Sequence, residues 1–154
     1  MRNEIQYAVC GDLQQQELGK LLFLATNSCY SASELESIIS KSTAYITARH
    51  SGKLVGFGRL LSDGAVVAYI NNMAVSPEYQ RQGIGKALLD GLIETAGNVK
   101  TIFLYSNTAD LLYLNNGFQL SEKRLYMRRG REIIQEIASS QLGCVVGGSL
   151  QAKT

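Results

Sequence analysis

A chain of 154 residues, of which 45% are hydrophobic and 18% charged, is long enough to bury one core without metals or disulfides. Its 15 basic and 13 acidic side chains leave a net charge of +2, which argues against a general attraction to nucleic acid. No apolar stretch approaches the length of a membrane span, and the N-terminus lacks the pattern of an export signal. We therefore expect a single domain over residues 1–154, with neither a nucleic acid nor a membrane as partner.

The three cysteines are Cys10, Cys29 and Cys144, which lie far apart in the sequence. Their number and spacing give neither a disulfide framework nor a zinc motif, so we expect no bound metal. A reducing cytoplasm is therefore the expected compartment.

The first half of the chain predicts a strand, two helices and three strands, at residues 5–10, 12–25, 31–39, 44–49, 54–61 and 66–75. Asp12 is the expected N-cap of the first helix. Ser31 and Ser33 each precede a glutamate by three residues, so either can cap the second helix. Short turn-like links join the three strands, which favours antiparallel hairpins.

The second half begins where the apolar period changes from two to about 3.6, which predicts a helix from about Gly83 to Gly97. A strand at residues 101–105, a short helix at residues 109–115 and two final strands, around Phe118 and at residues 125–127, follow. The predicted fold class is mixed α/β (α+β), with a mostly antiparallel sheet of about six to seven strands and helices on both faces. Residues 129–154 are a C-terminal extension that fits either a flexible end or a continued helix.

Gly83 and Gly85 lie at the predicted step from strand to helix. Glycine lets the backbone approach a ligand closely, and the first turn of a helix has unpaired amides and partial positive charge. A diphosphate there can accept hydrogen bonds from main-chain amides, each contributing roughly 1.5–3 kcal/mol. Two other phosphate-binding motifs are excluded, because the P-loop and dinucleotide spacings both fail here. A turn without a ligand is the alternative.

Gln80, Gly83 and Gly85 reproduce a known signature, which is Gln or Arg, two residues, Gly, one residue, then Gly or Ala. On this motif the chain resembles the GNAT N-acetyltransferase superfamily over about residues 5–127. The resemblance implies a GNAT-like fold, acetyl-CoA as cofactor, and a pantetheine arm paired with the strand that ends at Val75. The implied cofactor-binding residues are Met73, Ala74, Val75, Gln80, Arg81, Gln82, Gly83, Ile84, Gly85, Lys86 and Asn107.

A second element, residues 112–118, resembles the aromatic-Tyr-x-x-x-Gly-Phe segment of the family, with Leu112 in the aromatic position. The resemblance implies that Tyr113 is the catalytic acid that protonates the departing thiolate. A tyrosine that only packs against the core is the alternative. Asn107 matches an asparagine that contacts the cofactor in the family, and an N-cap of the short helix is its alternative role.

The implied reaction is direct attack of a primary amine on the acetyl thioester through a tetrahedral oxyanion, which the amide of Met73 or Val75 can stabilise. Many relatives carry a carboxylate base where this chain has Asn72, and an amide cannot take up the proton. A water relay, Asp63 or the main chain are the remaining candidates for the base. His50 lies in a predicted turn and is expected to be solvated, and the cysteines lack a histidine partner.

The predicted acceptor-binding residues are Tyr30, Asp63, Tyr69 and Asn72, because aromatic faces and carboxylates suit an amine cation. The expected acceptor is a small-molecule amine or a protein amino group, and the family's habit of pairing through C-terminal strands implies a homodimer. The missing strand carboxylate leaves an alternative function, a non-catalytic module that binds or senses acyl-CoA.

Overall fold

The computed structural model describes residues 4–130. Within them, five strands form one sheet in chain order, namely β1 (Gln6–Val9), β2 (Ala44–His50), β3 (Lys53–Ser62), β4 (Val67–Val75) and β5 (Thr101–Phe103). Neighbouring strands are antiparallel except β4 and β5, which are parallel. The helices are α1 (Gln15–Thr26), α2 (Ala32–Lys41), α3 (Ile84–Ala96) and α4 (Asp110–Leu114), with a 3-10 turn at Pro77–Tyr79. The mixed, mostly antiparallel sheet is thus confirmed.

Helices cover both faces of the sheet, as predicted. Helices α1 and α2 bury Leu18, Leu22 and Leu35 against a side of the sheet that includes Phe57. Helix α3 packs its apolar stripe on the opposite side, in a cluster whose fully buried members include Val55, Leu60, Leu88, Leu89 and Leu92. Strand alternation explains the division, because successive side chains of β2 and β3 point to opposite faces. No helix of residues 4–130 is both long enough and apolar enough to cross a membrane.

The two helix starts differ in how well local sequence predicted them. The expected N-cap at Asp12 is wrong, because α1 is capped at Gln14, whose amide donates to Glu17 over 3.0 Å. Asp12 instead precedes the cap by two residues, and its carbonyl accepts a hydrogen bond from Arg49 over 2.7 Å. Helix α2 begins after Ser31, one of the two predicted caps, whose Oγ accepts from the Glu34 amide.

The predicted strands around Phe118 and at residues 125–127 do not form within the described residues, so the sheet has fewer strands than expected. Phe118 packs edge-on against Tyr113 instead. Leu125, Tyr126 and Met127 are 54%, 86% and 68% exposed. Within residues 4–130, β5 ends the sheet and pairs only with β4, so neither apolar run adds a strand to it. The extension beyond residue 130 lies outside the described residues.

A β-bulge interrupts β4. Phe57 pairs with Ala74 and Arg59 pairs with Asn71, so Gly58 on β3 faces both Asn72 and Met73. The bulge uses a left-handed backbone at Asn72, with φ of 53°. Gly58 provides the space, since a Cβ there would lie 2.7 Å from both the Met73 sulfur and Leu92 Cδ1. As a result Asn71 and Asn72 both line a cavity beside α2, and Met73 packs toward α3.

Leu92 and Leu24 provide a matched test of the α3 core, because both are helical leucines. Leu92 is fully buried, whereas Leu24 is 53% exposed. Leu92→Ala should lower the free energy of unfolding by about 2–5 kcal/mol through lost burial and a cavity. Leu24→Ala should change it by less than about 1 kcal/mol. Urea denaturation followed by circular dichroism measures both, and equal losses would contradict this assignment of the core.

Candidate active site

The sheet opens between β4 and β5. The two strands pair only between residues 67–69 and residues 101–103, so residues 70–75 of β4 have no ladder on that side within the described chain. A Cβ built on Gly85 would lie 3.5 Å from Leu112 and 3.9 Å from Val75. The opening therefore brings together the end of β4, the first turn of α3 and the short helix α4. These are the elements on which the sequence placed the cofactor.

The glycine turn leaves the first amides of α3 unpaired. Gly83 is the N-cap in a left-handed conformation, with φ of 85°, and the helix has no side-chain cap. The amides of Ile84, Gly85 and Lys86 donate to no acceptor among residues 4–130. Unpaired amides at the positive end of a helix dipole form a site for an anion.

Three predicted cofactor side chains have partners inside the protein. The Gln80 side-chain amide donates to the Val75 carbonyl over 3.1 Å, and that of Gln82 donates to the Glu78 carbonyl over 3.3 Å. Lys86 Nζ forms an ion pair with Asp90 over 2.6 Å. Gln80 therefore ties the turn to the end of β4. What the turn presents outward is mainly its backbone, together with the exposed side chain of Arg81.

Helix α4 holds Tyr113 half-buried against the α3 cluster. Its ring meets Phe118 edge-on at 5.9 Å, and the Phe118 amide donates to the Tyr113 carbonyl over 3.1 Å. Gly117 has φ of 87°, the left-handed conformation that commonly follows the last turn of a helix. Burial raises the pKa of the Tyr113 hydroxyl above its ordinary value of 10.0. The hydroxyl is therefore protonated at neutral pH, as a catalytic acid must be.

Asn107 is exposed and precedes α4. The alternative that it caps this helix is wrong, because the N-cap is Ala109, in a left-handed conformation with φ of 63°. The helix begins at Asp110, so Asn107 is two residues too early to serve as the cap. Its cofactor contact stays a prediction.

A cavity of about 410 Å³ lies between α2 and the bulge of β4. Its lining is mostly polar and consists of Tyr30, Ser33, Glu34, Ser37, Ile38, Arg59, Asn71 and Asn72. Asn72 Nδ2 donates to the Tyr30 hydroxyl over 2.9 Å. Asn72 Oδ1 is buried and has no hydrogen-bond partner among residues 4–130. Tyr30 and Asn72, two of the predicted acceptor residues, are thus brought together.

Tyr69, a third predicted acceptor residue, lies in an aromatic group. Its ring stacks on Phe103 at 5.0 Å and approaches Tyr105 at 5.4 Å. Burial raises the pKa of Tyr69, with a smaller contribution from Tyr105 and Tyr30. The electrostatic interaction with Tyr69 raises the pKa of Arg59, so Tyr69 lies near the cavity. It is not among the residues that line the cavity.

Two side chains that the sequence offered for the role of base, Asp63 and His50, both have hydrogen-bonding partners within the protein. Asp63 Oδ1 accepts from the amides of Ala65, Val66 and Val67, over 2.8, 2.7 and 3.1 Å. These bonds lower the pKa of Asp63, which weakens it as a base, and it does not line the cavity. His50 is not solvated as expected. It is half-buried at the end of β2, with Nδ1 2.8 Å from the Tyr79 hydroxyl.

Sequence reasoning missed Arg59. It points into the cavity from β3, directly opposite Asn71. The signal was present in the sequence, because Arg59 is the one charge within the apolar run from Leu54 to Leu61. A single charge in a buried strand requires a partner or a ligand.

Comparison with known proteins agrees with this geometry. An acetyltransferase (GNAT) domain model matches residues 40–120. The chain belongs to the GNAT acetyltransferase family. It is 36% identical over 110 residues to a probable acetyltransferase, TAP2, of Glycine max, covering 68% of this chain and 42% of that protein. It is 42% identical over 72 residues to GCN5-related N-acetyltransferase 2, chloroplastic, of Arabidopsis thaliana, covering 44% of this chain and 27% of that one. The chain thus spans less than half the length of either relative.

Solved structures show the same fold. A probable acetyltransferase from meticillin-resistant Staphylococcus aureus superposes with a TM-score of 0.72 at 22% identity, covering 82% of this chain and 100% of that one. A predicted acetyltransferase with acetyl-CoA from Clostridium acetobutylicum superposes with a TM-score of 0.62 at 16% identity, covering 81% of this chain and 96% of that one. At these identities the likeness concerns the fold alone.

Substitution of Gly85 separates binding at the turn from stability. Gly85→Asp should leave the protein folded, because an added Cβ meets Leu112 and Val75 only at ordinary contact distances and an acidic side chain suits the first turn of a helix. It should weaken coenzyme A binding by about tenfold or more, close to 1.4 kcal/mol, because its carboxylate repels the diphosphate. Isothermal calorimetry measures the affinity.

Gly85→Ala is the matched control for this experiment. It adds the same Cβ without charge, and alanine fits the family signature at this position, so coenzyme A affinity should be retained. Thermal melts should show both variants as stable as the parent. If Gly85→Asp also binds coenzyme A like the parent, the diphosphate does not lie at this turn.

Proposed function

We propose that this chain is an N-acetyltransferase that moves the acetyl group from acetyl-CoA to a primary amine by direct attack. The observation that carries the proposal is the double use of residues 71–75 of β4. The free edge of this segment lies beside the unpaired amides of α3. Its bulge lines the polar cavity on the face of the sheet that α2 covers. A strand that borders both an anion site and a cavity suits the transfer of a group between two ligands.

The family and the turn together support acetyl-CoA as the donor. The amides of Ile84, Gly85 and Lys86 would receive the diphosphate, and the free edge of Met73, Ala74 and Val75 would pair with the pantetheine arm. The Clostridium acetobutylicum neighbour was solved with acetyl-CoA. Arg81 is free to approach the phosphates, whereas Lys86 would first have to leave Asp90.

The proposed reaction forms the bond between nitrogen and the acetyl carbon and breaks the bond between that carbon and sulfur. The amide of Met73 or Val75 donates to the oxyanion that develops on the carbonyl. Tyr113, whose pKa burial raises above its ordinary value of 10.0, donates its proton to the departing thiolate. The amine must lose a proton as well. Because Asn72 cannot accept one, we assign that step to a water relay, with Asn72 Oδ1 holding the amine by a hydrogen bond.

The acceptor in this proposal is a small-molecule amine or a protein amino group, bound among Tyr30, Asn72 and the neighbouring Tyr69. A role for Asp63 would require a substrate that extends beyond the cavity. For the compartment, both the cytoplasm and the chloroplast are candidates, since the Arabidopsis thaliana relative is named chloroplastic.

We also propose a homodimer, on the family resemblance. Light scattering over a wide range of concentrations should show particles of about twice the 16.8 kDa chain mass. Particles of the chain mass alone at every concentration would contradict the homodimer.

A second function, a module that binds or senses acyl-CoA without turnover, is favoured by one observation. The bulge carries Asn72 where an enzyme of this family would often carry a base. Incubation with acetyl-CoA and a panel of amines, followed by detection of free thiol, separates the two functions. Coenzyme A binding without thiol release on any amine would favour the sensing module.

Tyr113→Phe tests the catalytic acid. The ring contact with Phe118 remains, so melting temperature and coenzyme A affinity should change little. If the hydroxyl protonates the thiolate, kcat should fall by about 10²–10⁴-fold at saturating acetyl-CoA. Steady-state rates on an accepted amine provide the measurement. An unchanged kcat, with chemistry shown to be rate-limiting, would exclude Tyr113 as the acid.

A further inference from the structure

Arg59 lies in the cavity without an anionic partner. The ion pairs of residues 4–130 do not include it. Its Nε donates to the Ser42 hydroxyl over 2.8 Å, and its terminal nitrogens make no hydrogen bond within the described chain. The side chain is half-buried, so water compensates its charge only in part.

The carboxylate that lines the same cavity, Glu34, forms no ion pair with Arg59. Glu34 Oε2 accepts from the Ser31 amide over 2.8 Å as part of the cap of α2. Burial lowers the pKa of Arg59, and the nearby Tyr30 and Tyr69 offset only part of that effect. An anion bound in the cavity would supply the partner that Arg59 lacks within the described residues.

The cavity offers a second unsatisfied group close to the first. Arg59 and Asn71 are directly opposed across β3 and β4, and Asn72 follows at the bulge. Asn72 Oδ1 is a buried acceptor without a donor among residues 4–130, whereas its Nδ2 donates to the Tyr30 hydroxyl. The residues that line the cavity therefore include a guanidinium without an anionic partner and an asparagine whose amide oxygen has no donor within the described chain.

We propose that the acceptor is an amine that also carries a carboxylate, in the class of the free amino acids. Arg59 binds the carboxylate, for which its planar fork is suited, and Asn72 Oδ1 receives an N–H of the reacting amine. A volume of about 410 Å³ accommodates a ligand of this size. This inference rests on the proposed N-acetyltransferase function, to which it adds the substrate class.

Pairs of compounds that differ only by the carboxylate test the substrate class. Tyrosine is compared with tyramine, and lysine with cadaverine, by thiol release from acetyl-CoA. We expect kcat/KM to be at least tenfold higher for the member that carries the carboxylate. Phosphoethanolamine, compared with ethanolamine and glycine, asks whether the anion is a phosphate instead. A higher kcat/KM for phosphoethanolamine than for the amino acids would overturn the assignment of a carboxylate.

Variants of Arg59 test the assignment to this residue. Arg59→Met should lower kcat/KM for the amino acid at least tenfold and bring the ratio within each pair close to one. Arg59→Lys keeps the charge without the planar fork and should retain part of the preference. Arg124→Met, at an exposed arginine outside the cavity, is the matched control and should keep the full preference.

The outcomes separate this inference from the function on which it rests. Equal rates within each pair would overturn the substrate class and leave the acetyltransferase proposal intact. A carboxylate preference that survives in Arg59→Met would overturn the role of Arg59. If coenzyme A binds but no compound of the panel is acetylated, the substrate class is overturned, and the N-acetyltransferase proposal then requires a protein amino group as acceptor. Circular dichroism and thermal melts of each variant exclude misfolding as the cause of a lost preference.

Discussion

The β-bulge opposite Gly58 is the constraint on which the α2 cavity and the facing of the last residues of β4 depend. An uninterrupted β4 would send residues 71 and 72 to opposite faces. With Asn72 in a left-handed conformation, Asn71 and Asn72 both line the α2 cavity. The alternation then continues from Met73, which packs toward α3, to Ala74, which packs under α1 and α2. One strand can therefore border a cavity on one face and an opening at its free edge.

Local sequence predicted most of the fold, because most of the elements carry their own signals. The reciprocal hydrogen bonds of Ser31 and Glu34 define the start of α2, and the 3.6-residue period defines α3. The errors come from long-range contacts. Arg49, on β2, donates to the Asp12 carbonyl and the Glu17 carboxylate, and the helix begins only after Gln14. The bulge has a similar origin, since it depends on how many residues face Gly58 across the sheet.

The candidate site was predictable in its backbone and much less so in its side chains. The glycine signature indicated the unpaired amides of α3 because main-chain geometry follows from residue type at Gly83 and Gly85. It could not indicate that Gln80 would bond the Val75 carbonyl or that Lys86 would pair with Asp90. Arg59 was visible as a lone charge in an apolar strand. Its lack of a partner appears only when every neighbouring strand and helix is in place.

The unpaired groups of the cavity also bear on the missing base. A carboxylate at position 72 would line the same cavity as the half-buried Arg59, where its charge would compete with a bound anion for the guanidinium. With Asn72 the guanidinium is available to a ligand, and the amide oxygen still accepts an N–H bond. The proton of the amine must then leave through water. A cavity that is open to solvent and lined by Tyr30, Ser33 and Ser37 provides polar groups for such a relay. In the proposed function, Asn72 therefore has two consequences. Its position lacks a base, and Arg59 stays free to bind the carboxylate of the substrate.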